Sequence, residues 1–212
     1  METQYSVASK PYGKLFAALF SGLLFTSVGV YAGQYVPIAL RMPLWIAEIA
    51  LIILMMAVRK KKAVGYSLMY AFMFVSGLAL SAVLELYASE IGVNLVLEAF
   101  AVSTVSFGAI AAYTMISKRD FSFLGGFLFL GLIALVVIAV VGIFVPYSSM
   151  TMMIYSGMGI LIFVGYTLFD FSRITVHGFT DEDIPLIVAS IYLDFINLFL
   201  YILQFVGIGS KN

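Results

Sequence analysis

Asp170 and Asp194 are the residues of this chain whose placement costs most. Asp194 lies in the middle of an apolar run, 184–206, among Ile191, Leu193, Phe195, Ile196 and Leu198. Asp170 falls late in the preceding run, in Gly165-Tyr166-Thr167-Leu168-Phe169-Asp170-Phe171. An ionisable side chain in hydrocarbon costs about 2.5–3.5 kcal/mol on insertion scales, and such groups face a bundle interior or a water-filled path. If the two carboxylates share one low-dielectric site, they cannot both ionise cheaply, so they share a proton and titrate as a coupled pair. Arg59, closing the second apolar run, is the basic residue placed to snorkel toward them from the inner side and to stabilise one ionised member. Together the three would form a proton-sensitive latch, in which a proton gained or lost, or a new partner for Arg59, changes helix packing.

The last run carries a second signal. Ser190, Asp194, Asn197, Tyr201 and Gln204 are spaced by four, three, four and three residues, which puts them on one stripe of an otherwise apolar helix. A helix surrounded by lipid would not have it, so the stripe faces protein or water. It is either the lining of an ion path or interhelical hydrogen-bond glue. Glu48, Glu85, Glu90 and Glu98 fall near the outer ends of runs two, three and four, where an acidic mouth would concentrate cations. Glu85 and Glu90 read as solvated loop-edge residues, and Glu48 and Glu98 as deeper ones. His177 reads as a loop histidine. Gly29 and Gly33 look like a helix-packing notch, and Gly125, Gly126 and Gly131 the same.

These groups need elements to hold them, and the composition says which. The chain has 212 residues, 63% hydrophobic and 10% charged, whereas soluble domains carry about 25% charged residues. A spanning helix takes roughly 20 apolar residues. The length therefore allows about seven spans in a single domain, 1–212, with no room for an added soluble one. The spans are expected at 13–36, 43–58, 63–87, 93–116, 121–145, 150–171 and 184–206, the first kept as a true span and not a cleaved signal. Zero cysteines exclude disulfides, iron–sulfur clusters and thiol catalysis, and one histidine cannot build a three-histidine zinc site. Net charge near zero gives no argument for nucleic acid.

Lysine and arginine set the orientation, because they accumulate on the cytoplasmic side. With the N-terminus inside, Lys10, Lys14, Arg59, Lys60, Lys61, Lys62, Lys118, Arg119 and Arg173 lie within, and only Arg41 and Lys211 outside. The N-terminus is thus expected in the cytoplasm and the C-terminus outside. Between spans six and seven, Gly178 suits a helix C-terminus after His177, and Thr180 with Asp183 resembles a capping box opening span seven. Counted from that turn, Asp170 lies about 8 residues before it and Asp194 about 14 after Thr180. With a rise of about 1.5 Å per residue, straight helices leave the two some 9 Å apart in depth.

The stretch Ser190-Ile191-Tyr192-Leu193-Asp194-Phe195-Ile196-Asn197-Leu198-Phe199 strongly resembles the signature of the transmembrane Bax inhibitor motif family. Tyr166-Thr167-Leu168-Phe169-Asp170 looks like its span-six counterpart. Leu40-Arg41-Met42-Pro43-Leu44, then Glu48, Arg59 and Lys60-Lys61-Lys62-Ala63-Val64-Gly65-Tyr66, resemble the bacterial branch, hence a bacterial inner (plasma) membrane. The resemblance implies an all-α membrane protein of seven helices, with two triple-helix sandwiches around a central C-terminal helix. It implies a pH-sensitive calcium leak whose sensor is Asp170 and Asp194, both in calcium contact, with Arg59 as partner. Glu48 and Glu98 match acidic positions near the ion path, which Ser190, Asn197, Tyr201 and Gln204 continue. One departure is Phe171-Ser172-Arg173 after Asp170, where many members are more polar.

No cofactor is expected: calcium is the transported ion, suited to carboxylate oxygens. The partners are the bilayer, calcium and protons, with membrane proteins as further candidates. No enzymatic activity is expected. An intramembrane aspartyl protease also needs two aspartates on consecutive helices, but its Gly-x-Gly-Asp and Pro-Ala-Leu elements do not occur here. A retinal protein needs a lysine in its last span, and a rhomboid protease a membrane histidine; neither is present. A non-conducting regulator acting through partner proteins and a proton-coupled cation transporter remain alternatives to a leak.

Overall fold

A computed structural model describes residues 11–58 and 62–210, with Lys62 in its backbone only. Arg59, the expected partner of the aspartates, lies outside the described residues. Among the described residues seven long helices follow one another: α1 Tyr12–Gly33, α2 Arg41–Ala57, α3 Lys62–Ile91, α4 Val93–Ser117, α5 Gly125–Phe144, α6 Ser149–Val176 and α7 Ile184–Gly209. Single 3₁₀ turns, Ile38–Leu40 and Ser122–Leu124, lead into α2 and α5. All seven segments are long and apolar enough to cross a membrane, so the protein is an all-α membrane protein. In hydrocarbon only a helix or a closed barrel satisfies its own backbone.

Several expected ends move. Span three runs on to Ile91, so Glu85 and Glu90 lie in the last two turns of α3, both of them exposed and Glu90 beside the break. Gly92, with φ +87°, makes the break into α4. Span six continues to Val176, which shortens the connection to residues 177–183. Gly178 takes φ +74° as a helix-ending glycine does. The Thr180–Asp183 pair forms, with the Thr180 N–H and hydroxyl both donating to Asp183 Oδ2 at 3.1 and 2.9 Å. It closes a turn ahead of α7, however, and the helix starts at Ile184.

The chain divides into two compact units. The first comprises residues up to Ala82 together with His177–Ser190. Here α1 buries Leu15, Ala18, Gly22, Thr26, Gly29 and Gly33, one face at helical spacing. That face lies on α3: Gly22 meets Met73, Gly29 meets Gly77 and the Phe74 carbonyl, and Gly33 meets Ser81. The expected notch at Gly29 and Gly33 is therefore real, and Thr26 adds a hydrogen bond to the Met73 carbonyl at 3.0 Å. At one end of α1, Tyr12 packs edge-on against Phe179 at 5.4 Å, and Lys14 pairs with Asp181.

The second unit comprises residues Val83–Val176 and those from Ile191 on. There α6 packs against both α4 and α5. Small residues again admit large ones, Gly125 against Phe169, Gly131 against Ile162 and Gly165 against Leu128. Gly126 departs from the expected notch and faces open space. The α4–α5 connection is tied to α6 by the Phe121 N–H donating to Ser172 Oγ at 3.1 Å.

Candidate functional site

α6 and α7 hold the two aspartates within the second unit. Along α6 the residues Gly159, Ile162, Phe163, Thr167, Asp170, Phe171 and Ile174 are buried, a face set by spacings of three and four. The buried threonines satisfy themselves on their own helix, Thr167 donating to the Phe163 carbonyl at 2.8 Å and Thr175 to that of Phe171 at 2.7 Å. α7 has no exposed residue between Ile184 and Ile208.

Asp170 is 9% exposed and Asp194 5%. Asp170 lies close enough to act electrostatically on Asp194. The late start of α7 explains how they meet. Asp194 is ten residues into a helix that begins at Ile184, and Asp170 is eight before Gly178. The difference in depth thus falls from some 9 Å to about 3 Å for straight helices. Residues 181–183 form a turn and add little axial rise. The Oδ2 atom of Asp194 is buried and has no hydrogen-bond partner among the described residues. A buried polar atom left without a partner is rare and marks a place where water, an ion or a proton belongs.

A third polar group lies within electrostatic range of the pair. The Tyr166 hydroxyl feels both carboxylates and sits one helical turn before Asp170. Its proximity to the pair was missed in the sequence because tyrosine there reads as ordinary packing; the four-residue spacing to Asp170 was the signal available.

The other expected site residues are distributed unequally. Glu48, on α2 in the first unit, is half-buried and hydrogen-bonded to Ser76. Glu98, on α4 in the second unit, is exposed on the surface of the helices. On α7, Ser190, Asn197, Tyr201 and Gln204 are half-buried. Asn197 donates its amide to the Leu193 carbonyl at 2.8 Å. Tyr201 lies 3.0 Å from the Tyr155 hydroxyl and stacks on Phe163. At these two positions the stripe is at least partly hydrogen-bonded structure. His177 is exposed, in keeping with a loop histidine. Among the described residues no three acidic or histidine side chains cluster as a metal site.

A family profile described as "Inhibitor of apoptosis-promoting Bax1" matches residues 10–211. Bax inhibitor 1 of Schizosaccharomyces pombe is 36% identical over 148 residues, covering 70% of this chain and 54% of that protein. The Golgi anti-apoptotic protein of Vaccinia virus (strain Lister) is 34% identical over 165 residues, 78% of this chain and 67% of the viral one. A membrane protein of Vibrio cholerae is 39% identical over 158 residues, 71% of this chain and 69% of its own. The chain therefore spans about half the length of the fission-yeast relative and about two thirds of the other two. With the profile running through all seven helices and both aspartates, the chain belongs to the Bax inhibitor motif family.

Proposed function

We propose that the protein is a pH-sensitive calcium leak, gated by the Asp170–Asp194 pair with Arg59 as its cationic partner. The observation that carries this reading is the buried Asp194 carboxylate, with one oxygen unpartnered and Asp170 within electrostatic range. Two such groups hold one proton more readily than two charges. Their protonation state therefore sets how strongly α6 and α7 attract or repel each other and how a cation is received between carboxylate oxygens. Calcium approaches past Glu48 and Glu98 and follows the α7 stripe. Lysine and arginine bias supports a bacterial plasma-membrane protein with its N-terminus in the cytoplasm.

The test is calcium entry into proteoliposomes of the purified protein from about pH 6 to about pH 8, with Asp170→Asn and Asp194→Asn in parallel. A protein-dependent flux whose pH profile collapses in both variants supports the latch. Flux with an unchanged profile in both removes the sensor assignment. No flux above empty vesicles shifts the reading to a non-conducting regulator, which the anti-apoptotic name of the viral relative favours.

A further inference from the structure

The first unit carries an open groove of about 530 Å³ between α1 and α3, within the range of roughly 300–1,000 Å³ that ligand pockets occupy. Leu24, Phe25 and Val28 of α1 form one side, and Ser67, Tyr70, Ala71 and Phe74 of α3 the other. The Phe25 ring packs against that of Tyr70 at 4.9 Å between centroids. Both hydroxyl groups in the lining are already engaged. Tyr70 shares a 2.8 Å hydrogen bond with Ser21, and Ser67 donates to the Ala63 carbonyl at 3.2 Å. The groove therefore offers an occupant hydrocarbon contact.

Its place in the membrane narrows what that occupant is. The two helices run parallel, since Gly22 meets Met73, Gly29 meets Gly77 and Gly33 meets Ser81 in ascending order. One end of the groove thus lies toward both N-termini. With 30 residues, α3 is about 45 Å long and, when centred, overhangs a hydrocarbon core of about 30 Å by about 7 Å at each end. Ser67 stands five residues past the first residue of α3 and Phe74 twelve, or about 7 and about 18 Å. The groove opens where acyl chains begin and runs about 10 Å down one leaflet. It is continuous with the apolar face that α1 turns to the bilayer, where Leu24 and Val28 are 69% and 58% exposed. A second helix fits it poorly. Membrane helices approach through small residues on both partners, and here Ser67 and Ala71 are flanked by Phe25, Tyr70 and Phe74. A flexible methylene chain passes where a helix backbone would be held off.

We propose that this groove holds one acyl chain of a bilayer phospholipid, drawn from the leaflet at the N-terminal ends of α1 and α3. Lipid supplies no hydrophobic drive between surfaces that already face it, so the chain is held by dispersion contact along a fitted surface. The site is independent of the aspartate pair and of calcium.

The test is native mass spectrometry of the full chain, reconstituted in vesicles of dioleoyl phosphatidylcholine and transferred to detergent. The zwitterionic headgroup keeps attraction to lysine and arginine out of the readout. Wild type should retain one phospholipid per chain. Ala71→Leu fills the groove from α3 and should lower that occupancy about tenfold, the worth of about ten lost carbon–carbon contacts. Ala112→Leu, at an exposed position of α4, which lends no residue to the groove, should retain the lipid. Ser67→Leu serves in place of Ala71→Leu if that variant does not fold. Wild type without retained lipid, wild-type retention in the filled variant, or equal loss in Ala112→Leu overturns the proposal. A second copy of the chain retained in place of lipid also overturns it and gives the groove to a helix.

Discussion

Gly29 and Gly77 meet backbone to backbone where α1 crosses α3. A Cβ on Gly77 would stand 3.0 Å from the Gly29 Cα and would collide with the Thr26 carbonyl oxygen. Neither obstacle is a side chain that can swing away. Close approach through small residues is how membrane helices gain packing, because lipid supplies no hydrophobic drive between them. Gly77→Ala should therefore cost at least the ~1–3 kcal/mol typical of overpacking. Gly126→Ala, whose Cβ meets open space, should be neutral or gain up to about 1 kcal/mol from lower backbone entropy. Thermal unfolding of both variants in detergent checks this, and a wild-type melting point for Gly77→Ala would contradict it.

Asp194 gives a second contrast. Its carboxylate is buried with one oxygen unpartnered, so Asp194→Asn keeps the shape while removing a charge that hydrocarbon penalises. That variant should fold at least as stably as wild type near neutral pH, and its stability should lose any step that belongs to the pair. Asp194→Ala also empties volume in the middle of α7 and should be the less stable of the two, by about 1 kcal/mol or more. Unfolding followed across pH for both variants measures this; equal stabilities would mean that the site collapses freely around the smaller side chain.

Much of this was legible in the sequence, for identifiable reasons. The seven spans follow from run length alone, because hydrocarbon leaves the backbone no alternative to a helix. Asp170 and Asp194 stood out because a carboxylate in an apolar run has no cheap explanation. Their proximity was not legible. It depends on whether residues 181–183 add helical rise, and the Thr180–Asp183 signature is the same for a helix cap and for a separate turn. The ends of α3 and α6 were also missed, because helices continue past the hydrocarbon into water. Glu98 and Glu48 look alike as acids inside apolar runs, yet Glu48 is half-buried and bonded to Ser76 whereas Glu98 is exposed. The ring contacts of Phe107 on α4 with Phe171 of α6 and Phe195 of α7, at 5.8 and 5.4 Å between centroids, were invisible because phenylalanine in a span is ordinary filler until its neighbours on other helices are known.

The α7 stripe can be divided experimentally into path and glue. The Tyr201 hydroxyl lies 3.0 Å from that of Tyr155, which in turn lies 3.4 Å from the Leu135 carbonyl, so α5, α6 and α7 are tied at one point. Tyr201→Phe keeps the stack on Phe163 and should cost about 0.5–1.5 kcal/mol, the net value of one hydrogen bond. Gly159→Ala should cost more, because its Cβ would enter the space of the Tyr201 ring. If the hydroxyl is glue, Tyr201→Phe melts earlier and leaves calcium flux unchanged. Reduced flux at wild-type stability would assign the hydroxyl to the ion path.

Orientation is open to a clean test because the chain has no cysteine of its own. Ser122 and Ser148 are exposed and flank the two ends of α5, and serine to cysteine changes one atom. With the positive charges counted above held inside, Ser122 faces the cytoplasm and Ser148 the exterior. A membrane-impermeant maleimide applied to intact cells should label Ser148→Cys and leave Ser122→Cys unlabelled until the cells are opened. The reverse pattern would invert the topology and place Glu48 and Glu98 toward the cytoplasmic side. Labelling of both in intact cells would mean that α5 does not cross, a result its mean hydropathy of 3.2 argues against.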